Sequence, residues 1–82
     1  MNKYTIKSVS DEGTYYLVRN WEKARTFWKT PNNIRQSDLF TRAQDAKRDL
    51  TCLLKVMEEY ASDILTLVEI DNVGNIVKES SI

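Results

Sequence analysis

Histidine does not occur anywhere in these 82 residues, which removes the commonest general base and the commonest metal ligand together. Cysteine occurs once, as Cys52, so neither an intrachain disulfide nor a Cys–Cys or Cys–His zinc pattern can be built. A lone thiol fits a reducing compartment, and Cys52, beside the apolar residues of a helix, reads as a small buried or half-buried packing residue. Two glycines and one proline argue against collagen-like and low-complexity chains. No run approaches the roughly 18 apolar residues of a bilayer span, and the opening Met1-Asn2-Lys3-Tyr4-Thr5-Ile6-Lys7 lacks the apolar stretch of a signal peptide. The expectation is a cytoplasmic protein without membrane association.

Signatures of catalysis are equally scarce. There is no nucleophile elbow, no glycine-rich phosphate loop and no calcium loop. Asp45 and Asp49 lie four apart on one helical face, but next to Lys47 and Arg48 they read as solvated charges. The expectation is a non-enzyme, with no catalytic residue, no metal and no cofactor assigned.

What is present suffices for one small globule, 1–82, with 41% apolar and 29% charged residues. Lys3 to Val9 alternates as a half-buried strand and ends at Ser10-Asp11-Glu12-Gly13, where the glycine supplies a turn. Thr14 to Asn20 returns as a second strand of an antiparallel hairpin, and Thr26 to Lys29 adds a third, closed by Thr30-Pro31-Asn32-Asn33. Ser37-Asp38-Leu39-Phe40 reads as extended, with Leu39 and Phe40 delivered to the core.

From Ala43, apolar residues recur at Ala46, Leu50, Leu53, Leu54, Met57 and Tyr60, a single helical stripe. The spacing predicts a helix of about 19 residues, about 28 Å long. Thr41 and Gln44 have the spacing of a capping box. Ile64 to Ile70 is apolar on both parities and reads as a central strand, and Asp71 to Asn75 turns the chain into Ile76-Val77-Lys78. The expected fold is α+β: a single mainly antiparallel sheet, built of a β-meander and a C-terminal β-hairpin, with one long helix packed on one face.

Net charge is zero, but the charges are unevenly spread. Thr14 to Ser37 holds Arg19, Lys23, Arg25, Lys29 and Arg35 against Glu22 alone, whereas Val56 to Ile82 holds Lys78 against six carboxylates. The basic stretch also carries Tyr15, Tyr16, Trp21, Phe27 and Trp28. If it runs extended, Arg19, Trp21, Lys23, Arg25, Phe27 and Lys29 share a parity and can line one surface.

A Trp beside arginines at a polar strand end has the composition of a protein-interface anchor. Arg19, Trp21, Lys23 and Arg25 are therefore the candidate protein-binding residues. The alternative is a single-stranded nucleic acid platform using Tyr15, Arg19, Trp21, Arg25, Phe27 and Lys29, in which rings stack bases and cations follow phosphates. A pocket for a nucleotide-like ligand is a third class, resting on aromatic and arginine content alone. Sequence does not decide between monomer and homodimer, nor which tryptophan belongs to the core.

Three segments resemble small uncharacterised accessory proteins encoded by phages and prophages of Gram-positive bacteria. They are the opening strand Tyr4 to Val9, the phrase Leu39-Phe40-Thr41-Arg42-Ala43-Gln44-Asp45-Ala46-Lys47, and the closing Val68-Glu69-Ile70-Asp71 with Gly74-Asn75-Ile76-Val77. The resemblance implies a context in which compact proteins bind and block a host or defence-system protein, an anti-defence role. It transfers no site residue.

Overall fold

The alternating segments all become strands. In the computed structural model, which describes residues 1–56 and 64–82, β1 (Lys3–Ser10), β2 (Gly13–Asn20) and β3 (Arg25–Lys29) form the meander. Two short 3-10 turns (Pro31–Asn33 and Gln36–Asp38) lead into α1 (Ala43–Val56), followed by β4 (Ile64–Ile70) and β5 (Ile76–Ser81). All neighbouring strands are antiparallel, in the order β3-β2-β1-β4-β5. The fold is α+β, and β4 lies inside the sheet as its double-sided apolar pattern requires. The first hairpin closes more tightly than the pattern suggests: Ser10 pairs with Gly13, and Gly13 takes φ 135°, a conformation open to glycine.

The helical stripe falls on one face of the sheet. Ala46 and Leu50 are buried with Ile6, Leu17 and Phe40, and Leu53, Leu54, Leu65, Leu67 and Trp28 pack around them. Trp28 is thus the core tryptophan. Met57 and Tyr60, the last two residues of the stripe, lie outside the described residues. The capping box does not form: Asp45 and Ala46 donate to the Arg42 carbonyl, so the first helical turn is built one residue beyond Thr41, whose hydroxyl makes no hydrogen bond to Gln44 or to any other of the described residues.

The opposite face is not left bare. Tyr16, Val68 and Ile70 are buried there with Leu39, and Ile34 packs against them. Leu39 and Phe40, adjacent in sequence, therefore serve opposite faces, because alternate residues of an extended chain point opposite ways. The preceding residues are not fully extended as the sequence suggested, since Gln36–Asp38 forms a 3-10 turn.

Phe40 marks the crossing point. The β1–β2 register begins at Ile6 opposite Leu17, which would put Tyr4 opposite Arg19. Instead Tyr4 exchanges both backbone hydrogen bonds with Phe40, at 2.7 and 2.8 Å. β1 and β2 splay at this end, the connection from β3 takes the vacated ladder position, and the Thr5 hydroxyl donates to the Leu17 carbonyl beside the splay. The backbone groups of Tyr4 and Phe40 and the Thr5 hydroxyl are thereby satisfied where the ladder stops.

Candidate functional site

The splay determines what Arg19 does. Released from β1 but still paired with Thr26 of β3, it lies on the helix-bearing face. There its Nη1 donates to Asp49 Oδ2 of α1 at 2.6 Å, and the Thr26 hydroxyl donates to the same oxygen at 3.1 Å. Asp49 is only 9% exposed, so it is not the solvated charge its sequence neighbours suggest. Asp45 does remain a helix-surface group, paired with Arg48 three residues on at 3.3 Å. A carboxylate this buried is tolerated because an opposite charge and a hydroxyl replace its water.

On the fixed guanidinium rests Trp21, with the Arg19 Cζ 4.9 Å from the indole centroid. Its Nε1 donates to the Ser37 carbonyl at 3.1 Å. The tryptophan begins the tight turn 21–24, whose preceding residue Asn20 accepts a hydrogen bond from the Lys23 N–H through its side-chain oxygen at 3.1 Å. Ala24 closes the turn at φ 49°, a left-handed conformation that L side chains disfavour. Trp21 nevertheless stays 55% exposed. A large aromatic is thus presented to solvent in a fixed orientation, with exposed Lys23 and Arg25 beside it.

The tight turn also reassigns the basic and aromatic residues. Because Asn20 pairs with Arg25, Arg19 with Thr26 and Val18 with Phe27, odd residues of β2 share a face with even residues of β3. Arg19 and Tyr15 therefore lie on the helix-bearing face, whereas Arg25, Phe27 and Lys29 lie on the other. The common parity that an unbroken strand would give is lost. Lys29 is also engaged, pairing with Asp38 at 2.8 Å and lying 5.6 Å from the Phe27 ring centroid. Of the protein-binding set, Trp21, Lys23 and Arg25 are all exposed at the turn between β2 and β3, and Arg19 supports Trp21 from the helix-bearing face. The nucleic acid set is divided between two faces.

Sequence reasoning missed Asp49 and Thr26, the residues that hold Arg19. A buried carboxylate thirty positions away in the chain leaves no local signal. Cys52 is exposed rather than packed; it borders a shallow groove of about 300 Å³ that also touches Arg19, Thr26 and Asp49. One step round the helix from the stripe was enough to turn it outward.

Among the described residues no group of three or more potential ligands could hold a metal ion, and no helix is long and apolar enough to cross a membrane. Comparison with protein-family models, with curated proteins and with solved structures found no match.

Proposed function

We propose that this domain is a non-enzymatic binding module that docks on another protein through Trp21, Lys23 and Arg25. The observation that carries the reading is the state of Trp21: more than half exposed, yet held by a guanidinium below and a backbone carbonyl at its edge. Rotamer entropy already lost in the free protein need not be lost on binding, which is what makes a preorganised aromatic an effective anchor. Lys23 and Arg25 form no ion pair among the described residues. The fitting partner offers an apolar socket for the indole with carboxylates at its rim. The likeness to phage accessory proteins extends this to a host or defence-system protein that is blocked by the contact.

Single-stranded nucleic acid is the second reading, and the division of its residues between two faces weighs against it. One experiment separates the two. Purified wild-type protein and Trp21→Ala are used to capture partners from a bacterial lysate, with and without nuclease. The protein reading expects a specific polypeptide held by wild type in both conditions and lost with Trp21→Ala. Capture that ends on nuclease treatment, or a retained set unchanged by Trp21→Ala, overturns it.

A further inference from the structure

A second site lies away from Trp21, at the corner where β3 runs into the first 3-10 turn. An open cleft of about 510 Å³ is lined there by Tyr15, Trp28, Lys29, Thr30, Asn32 and Arg35, among others. Its volume is within the range of small-molecule sites. Tyr15 and Trp28 come from different strands. Trp28 is opposite Leu17 in the β2–β3 register, so Tyr15, two residues earlier on β2, is its diagonal neighbour on the same face. Both rings are part-exposed.

The charges of the cleft point to an anion. Among the described residues none that lines it is acidic. Asp38, the carboxylate nearest Arg35 in sequence, is already occupied: it accepts from the Lys29 ammonium at 2.8 Å and from the Arg35 backbone N–H at 3.0 Å. The Arg35 side chain is exposed and has no ion-pair partner among the described residues. An exposed guanidinium without a carboxylate suits bidentate phosphate recognition. The Asn32 amide and Thr30 hydroxyl add donors and acceptors at the mouth; Thr30 already accepts from the Asn33 amide at 2.6 Å, which fixes its position.

We infer that this cleft binds a nucleotide, with the base against Tyr15 and Trp28 and the phosphate on Arg35. Two π-faces, an uncompensated guanidinium and neutral hydrogen-bonding groups are what a base joined to a phosphate requires, whether the nucleotide is free or part of a single strand. The site is independent of the Trp21 corner. Neither Trp21, Lys23 nor Arg25 lines it, so either can fail without the other.

Intrinsic fluorescence of Trp28 reads the test, in a Trp21→Phe background that leaves one indole. The probes are AMP, adenosine, inorganic phosphate and a five-nucleotide deoxyadenosine single strand. AMP is expected to produce a saturable change with a Kd of about 0.1 to 1 mM, and adenosine and phosphate alone to bind at least about tenfold more weakly, because each engages half of the site. Arg35→Ala and Tyr15→Ala, both at part-exposed or exposed positions, are each expected to weaken AMP about tenfold with circular dichroism unchanged. Single-strand binding much tighter than AMP, still lost with Arg35→Ala, assigns the site to nucleic acid; equal affinity assigns it to free nucleotide. No saturable change with either AMP or the strand overturns the inference. So does phosphate binding as well as AMP, or an unchanged affinity in both variants.

Discussion

Asp49 of α1 and Arg19 of β2 meet at 2.6 Å, and through that contact the helix fixes the platform on which Trp21 rests. Two residues thirty positions apart thus connect the packed face of the sheet to the exposed Trp21. Asp49→Ala removes the acceptor of both Arg19 and Thr26 while leaving the guanidinium largely buried. The expected loss is about 2 to 3 kcal/mol in urea unfolding, less than for a fully buried pair because the Arg19 side chain keeps 24% of its exposure. Trp21 fluorescence anisotropy should fall in the same variant as the indole loses its support.

Trp21→Ala is expected to separate binding from stability. An exposed ring contributes little to the core, so unfolding should change by no more than about 1 kcal/mol, whereas partner affinity should fall by about a hundredfold or more. Measuring both on one preparation decides the matter, since a comparable loss of each would make Trp21 a structural residue.

Phe40 occupies the ladder position opposite Tyr4 and is fully buried. Phe40→Ala should cost about 3 to 5 kcal/mol, the loss of a large core ring and the cavity left behind. Phe40→Leu, which keeps most of the volume and the backbone exchange, should cost substantially less. Equilibrium denaturation of the two variants checks the order.

Ala24→Gly carries a prediction of unusual sign. Glycine normally destabilises by freeing the unfolded chain, but Ala24 sits at φ 49°, where an L side chain is strained by about 1 to 2 kcal/mol. Relief of the strain should exceed the entropic loss, and the variant should be more stable by about 0.5 to 1 kcal/mol. A thermal melt showing lower stability would contradict it.

The turn between β4 and β5 supplies a pH dependence. Asp71 accepts hydrogen bonds from the backbone N–H groups of Asn75 and Val73, each at 2.9 Å, and its carboxyl is held below the usual carboxylate range, the Asn75 N–H being the leading cause. A group with a lowered folded-state pKa stabilises above its unfolded pKa and loses that contribution as pH falls through the folded value. Asp71→Ala should therefore lower the melting temperature at neutral pH, and the difference from wild type should shrink below about pH 4. A difference independent of pH would mean that the carboxylate charge is not involved.

Much of the fold was legible in the order of residues, and for local reasons. Strand alternation, the single apolar stripe from Ala46 to Leu54, and the turns at Gly13 and Gly74 depend on neighbours a few positions apart, so periodicity alone determined the five strands, the helix and its packing on a single face of the sheet, though not which face that is. The composition singled out Trp21 as a tryptophan among polar and cationic residues at a strand end, but which of the two tryptophans enters the core was decided only by the packing of Trp28 against the Ile6, Leu17 and Phe40 cluster. Tertiary structure decided the rest. The tight turn 21–24 set the β2–β3 register and with it the face taken by Arg25, Phe27 and Lys29, which no count of alternating residues could carry across a reversal of the chain. The burial of Asp49, the insertion of Phe40 beside Tyr4 and the meeting of Tyr15 with Trp28 and Arg35 join residues distant in sequence. Such contacts depend on strand order and register, and those exist only once the sheet has formed.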